Sequence, residues 1–308
     1  MDSYNENLEN NNIEENSLLY EYERKKDYNK VSKSAFLFLL YTLIFGIVFS
    51  FINDAGILNL LVISFSLISI YFYIGKGKKE AMIVTHKKMS FLDLIFFLGL
   101  MYGLNLIFSY IAIFLVDIVG VPSIDVTEEI SLSANILLLV YASFLGPIFE
   151  EIQYRGFYLN HVRKYGIQTA IILSTILFCF AHMNIIQSIG TLGIGLVLSY
   201  VAYVYSFKMA VLVHIINNII ALVSTYQTSI VENSKIEMFV GLLILSLIVF
   251  AIIRLIFGKK YKEIFENLKY KGKEKENFNA LLKNGWFIAY FIVALLLSIA
   301  SGFYTFYL

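Results

Sequence analysis

Apolar runs follow one another along most of this chain, at about 35–53, 56–75, 91–120, 134–149, 167–182, 185–207, 209–226, 237–257 and 285–307. Most approach the roughly 20 residues that a helix needs to cross the hydrocarbon of a bilayer. The run at 91–120 is long enough to tilt or to extend beyond it. The run at 134–149 is short and meets Gly146-Pro147, where a kink or a helix restart is expected because proline has no N–H to donate. From Phe149 to Lys164 the pattern reads as a helix continuing from that kink. The pattern predicts an all-α, polytopic integral membrane bundle of about eight or nine transmembrane helices. The lower number applies if 134–149 does not cross fully.

Composition agrees with this class. The chain has 308 residues, of which 58% are hydrophobic and 15% charged, against about 25% charged in an ordinary soluble domain. A net charge of +1 gives no support to a nucleic-acid partner, and none is expected. The single Cys179 lies in an apolar run, so no disulfide framework can form. Abundant Ile, Asn, Lys and Tyr suggest an AT-rich bacterial genome, and the expected location is the cell membrane.

Residues 1–34 are polar and end in a basic cluster, Arg24, Lys25, Lys26, Lys30 and Lys33. They lack the basic-then-apolar order of a cleavable signal peptide and read as a polar, mostly disordered cytoplasmic tail. Residues 35–308 then form the membrane domain. The basic residues set an orientation. Starting inside, alternate connections hold Lys76, Lys78, Lys79, Lys87 and Lys88, then Arg163 and Lys164, then Lys208, then the basic amphipathic stretch at 258–284. The opposite connections, at 54–55, 121–133, 183–184 and 227–236, hold only Lys235 among Lys and Arg. This split predicts a cytoplasmic N-terminus. No internal repeat is evident, so an inverted-repeat transporter has no direct support.

Charge inside the apolar runs marks the chemistry. Glu150, Glu151 and Arg155 fall within six residues, where a charged side chain at mid-bilayer costs roughly 2.5–3.5 kcal/mol on insertion scales. On a helix Glu151 and Arg155 are four apart and face each other, whereas Glu150 points about 100° away with no partner in its own segment. Two further constellations follow: Phe178 and His182 at the end of one run, and His214 and Asn218 on one face of another. A lone intramembrane histidine is usually a hydrogen-bonder between helices. Two histidines, an asparagine and an unpaired glutamate in neighbouring helices point instead to a reaction centre.

Register supports their meeting. Gly166 is the midpoint between Glu150 and His182, so a hairpin about Gly166 sets both at one height, roughly 24 Å of helix from the turn. His214 lies only six residues, roughly 9 Å, from the turn at Lys208. The depths agree if the 150–182 hairpin, with its polar tip, protrudes into the cytoplasm. All four groups then lie about 10 Å below that face.

Glu150-Glu151-x-x-x-Arg155, Phe178-x-x-x-His182 and His214-x-x-x-Asn218, in this order, resemble the three motifs of the CPBP family. That family comprises the type II CAAX prenyl endopeptidases and the bacterial Abi proteins associated with bacteriocin processing and self-immunity. The resemblance covers about 130–226. Two departures are Asn217, a second amide, and Ser206-Phe207-Lys208 in place of a Thr-Gly turn. The resemblance implies an intramembrane endopeptidase acting on a membrane-associated, leader or bacteriocin-type peptide. In it Glu150, with His182, activates the attacking water; His214 and Asn218 stabilise the oxyanion; Glu151 and Arg155 orient the site. The same resemblance leaves a second function open, a non-catalytic membrane partner or immunity protein binding a peptide or sensor in this cavity. The expected partners are a peptide or protein substrate and the lipid bilayer. No cofactor is expected. One glutamate and two histidines form a conceivable zinc set, so zinc stands as the weaker alternative.

Overall fold

The computed structural model describes residues 2–74, 86–120, 136–226 and 234–306, and these are helical with no strand. Lys76, Lys78 and Lys79 and the connection at 121–133 lie outside the described residues, as does most of the one at 227–236. In chain order the helices are α1 (Asp2–Val48), α2 (Ala55–Ile74), α3 (Phe91–Val119), α4 (Ile136–Tyr165), α5 (Ile167–Phe180) and α6 (Ile185–Gly190). There follow α7 (Leu192–Val204), α8 (Phe207–Tyr226), α9 (Ser234–Ile256), α10 (Lys260–Leu268), α11 (Glu274–Leu282) and α12 (Gly285–Phe306). Their boundaries follow local chemistry. Ser90 and Asp93 close a reciprocal capping box at the start of α3, and Gly120 ends it in the left-handed conformation. Gly166, at φ +113°, makes the turn between α4 and α5 that a side chain would strain. The hairpin about Gly166 is therefore present.

Among the described residues, five helices are long and apolar enough to cross a membrane: Glu15–Val48, Phe91–Val119, Ile136–Tyr165, Phe207–Ser224 and Lys235–Ile256. The bent pair of α11 and α12, at 52°, gives a sixth if it acts as one span. The eight or nine spans read from the sequence differ because they include shorter helices. At 14 and 13 residues, α5 and α7 reach only about 20 Å, against a hydrocarbon core about 30 Å thick. Their apolar character has another cause. They are the inner helices of the bundle: Leu173, Leu177, Leu198 and Val201 are fully buried, and α5 packs between α4, α7 and α12. A helix that is apolar all round looks the same in sequence whether lipid or protein surrounds it.

Small residues let the helices approach. A Cβ on Gly99 would strike the backbone of Leu247 in α9, and one on Gly193 would strike Leu104 in α3. Such contacts replace the hydrophobic driving force that is missing between helices in lipid.

The expectation of a mostly disordered tail is not met. Asp2–Val48 is one helix, and Tyr28, Val31 and Ala35 on it are buried. Asp27 lies 3.0 Å from His161 and 2.9 Å from Lys164, while Arg24 donates to Asn277 Oδ1 at 2.9 Å. Asn277 in turn donates to Tyr20 and to the carbonyl of Tyr165, tying α1, α4 and α11 together. The tip of the α4–α5 hairpin is thus covered: Tyr158 and Tyr165 are buried, although the sequence suggested a polar protrusion.

Candidate active site

The site begins with an irregular helix. α4 runs as a π-helix over Tyr141–Leu145, as an α-helix over Gly146–Glu151, and again as a π-helix over Ile152–Leu159. Widened turns of this kind are costly and often accompany functional sites. The first has a clear origin. The Gly146 N–H reaches back to the carbonyl of Tyr141 rather than Ala142, and Pro147 has no N–H to offer. The Ala142 carbonyl is left to Asn218, whose Nδ2 donates to it at 2.9 Å. The kink expected at Gly146-Pro147 is therefore a π-turn inside a continuous helix, and a motif residue of α8 closes it.

The charged residues form a chain. Arg155 Nη1 donates to Glu151 Oε1 at 2.8 Å, with both side chains fully buried. The same oxygen lies 2.9 Å from His214 Nδ1. His214 Nε2 then faces Glu150 Oε2 at 3.6 Å. A carboxylate already paired with Arg155 is an acceptor, so Nδ1 of His214 carries the proton. That leaves Nε2 as the nitrogen turned to Glu150. Glu150 is the accessible member: its side chain is 30% exposed, against 4% for His214.

Phe178 holds the aromatic side of the site. The Arg155 guanidinium lies 4.4 Å from its ring centroid, a cation–π contact inside the bundle. His182 and His214 both meet Phe178 edge to face, at 5.2 and 5.7 Å. Arg155 also donates to the carbonyl of Gly195 at 3.2 Å. Gly195 is small because α5 presses on it: a Cβ there would lie 2.9 Å from both Cys179 Sγ and Thr175 Cγ2.

A cavity of about 520 Å³ opens on these groups, lined by Glu150, Phe178, His182, His214, Asn217 and Asn218 among others. A second, of about 190 Å³, lies beyond Glu150 and also reaches His182 and Gln153. All six residues singled out in the sequence gather here, four lining the larger cavity and Glu151 and Arg155 buried behind it. The pairing differs from the one the family resemblance implies. His214, not His182, stands at ion-pair distance from Glu150. His182 shares both cavities with Glu150 while its ring rests on Phe178. Sequence reading passed over Tyr141, Asn59, Gln187 and Thr191, which also line the larger cavity. The visible signal was a polar residue within an apolar run, too common in this chain to single them out.

The residues do not fit a zinc site as placed. Glu151 is engaged by Arg155 and His214, and His214 holds Glu151 through one nitrogen and faces Glu150 with the other. Among the described residues, no group of three or more His, Cys, Asp or Glu side chains could hold a metal ion.

Residues 132–220 match the family model of the type II CAAX prenyl endopeptidases, Rce1-like. The match covers less than a third of the chain, yet it contains all three motifs and every charged residue of the site. It agrees with the family resemblance that the motifs carry. Comparison with curated proteins and with solved structures finds no match.

Proposed function

We propose that this chain is an intramembrane endopeptidase in which Glu150 activates water against a peptide bond. At the family level the reading rests on the Rce1-like match and on the apolar helices. The observation that carries it further is the partly exposed Glu150 carboxylate, 3.6 Å from His214 Nε2 at the wall of a cavity that His182 and Asn218 also line. A carboxylate that faces a cavity can take a proton from a water held there. Glu150 takes a proton from water as the water oxygen bonds to the scissile carbonyl carbon. The C–N bond breaks as that proton passes to the departing amine, with His182 sharing the transfer across the cavity.

His214 and Asn218 serve the oxyanion. Asn218 uses one N–H on Ala142 and has a second to offer. His214, protonated on Nε2 and held by Glu151 at Nδ1, supplies the other donor. The substrate is a membrane-associated, leader or bacteriocin-type peptide. The test is cleavage, followed by mass spectrometry, of a farnesylated CAAX peptide and of unprenylated leader peptides in proteoliposomes. Wild type cuts at least one class and Glu150→Gln cuts none; wild type cutting neither would favour a non-catalytic binding role.

A further inference from the structure

A further, mainly apolar cavity lies elsewhere. About 570 Å³ in volume, it lies between α3, α5 and α7 and is roofed by α10, and it shares no lining residue with the cavity at Glu150. Its walls include Leu100, Ile171, Leu196 and Val197, and its roof Phe265 and Leu268. Gln168, a polar residue on the wall, donates its amide to the Leu268 carbonyl and so fastens the roof to α5. α10 is short and amphipathic. Tyr261, Ile264, Phe265 and Leu268 recur at helical spacing on one face, opposite Lys260, Lys262, Glu263 and Glu266. A helix of this kind lies in the membrane interface rather than across it. At its end Lys269 and Tyr270 stand at the cavity rim, and Phe265 and Tyr270 are 73% and 41% exposed.

We propose that this cavity holds one acyl chain of an anionic phospholipid, with the headgroup at the basic end of α10. An apolar cavity does not retain water, and an empty one forfeits the dispersion contacts of its lining. In a chain that crosses a bilayer, the apolar molecule at hand is lipid. Charge selects the headgroup: residues 259–273 hold six lysines against two glutamates, directly after the span formed by α9. Basic clusters beside a span attract anionic lipid. Lys269 is exposed, and its partner Glu266 at 3.2 Å is equally exposed, so a phosphate can compete for it. Tyr270 places an amphipathic ring at headgroup level.

Native mass spectrometry of the full chain, extracted from vesicles of equal phosphatidylglycerol and phosphatidylcholine, tests the site. Wild type retains one phosphatidylglycerol per chain in preference to phosphatidylcholine. Lys269→Glu with Lys271→Glu, both on exposed positions, lowers that retention about tenfold or more, as expected for two basic charges near an anionic headgroup. Leu196→Trp, which fills the cavity, abolishes retention of either lipid; if that variant does not fold, the charge-reversed chain decides alone. Equal retention of the two lipids by wild type, or unchanged phosphatidylglycerol in the charge-reversed chain, would overturn the proposal.

Discussion

Glu151 Oε1 lies 2.9 Å from His214 Nδ1, and this contact fixes which imidazole nitrogen is turned to Glu150. The same oxygen accepts from Arg155, so one buried carboxylate serves two donors. Glu151→Gln therefore acts on stability and on chemistry together. It leaves Arg155 buried without a counter-charge, a change that typically costs about 3–5 kcal/mol. Thermal unfolding in detergent should show a large drop for Glu151→Gln and wild-type behaviour for Glu150→Gln, while both lose proteolysis. Wild-type thermal stability in both variants would contradict this division between Glu151 and Glu150.

Asn218 has two tasks that one substitution separates. Asn218→Ala removes an oxyanion donor, which typically lowers turnover by about 10²–10³ with little change in substrate binding. It also leaves the Ala142 carbonyl without its donor, at roughly 1–3 kcal/mol if the group stays buried. Steady-state kinetics alongside thermal unfolding checks both. A rise in KM at unchanged kcat would remove Asn218 from the oxyanion site.

The Glu151–Arg155 pair was legible because four residues make one helical turn, and the place of Glu150 and His182 on the same cavities because Gly166 lies midway between them. The Glu151–His214 contact was not legible. It depends on how the π-turns in α4 rotate the Glu pair against α8, and a straight-helix wheel carries no such information. Polarity misled the reading of residues 20–34, where Tyr28 is buried and Asp27 meets His161 and Lys164. Apolarity alone does not separate α5 and α7, 14 and 13 residues long and largely buried in the bundle, from the longer helices that can cross by themselves.

Glu263 on α10 accepts from Lys260 and Lys87. Burial alone would raise its carboxyl, but those hydrogen bonds outweigh burial and hold it below the ordinary carboxylate value. A depressed value adds stability above the unfolded carboxylate's titration and loses it as pH falls through the folded one. The gap in thermal stability between wild type and Glu263→Gln should stay constant from neutral pH down to about 5 and shrink below about 4. A gap that does not change with pH would contradict the assignment.

Sidedness follows from the basic residues. In a Cys179→Ala background, cysteines at positions 78 and 271 should need permeabilisation before they react with an impermeant maleimide, and one at position 126 should not. Labelling at 78 in intact cells would reverse the orientation.

The central claim is that a carboxylate, Glu150, activates the water. Its most direct measurement is peptide cleavage by purified enzyme after exhaustive treatment with phenanthroline and EDTA, with metal content measured on the same sample. Cleavage should persist without bound metal, and its pH profile should reflect one or two coupled groups belonging to the Glu150 site as a unit. Loss of cleavage on chelation, with recovery at one zinc per chain and less bound zinc in His214→Ala, would contradict it.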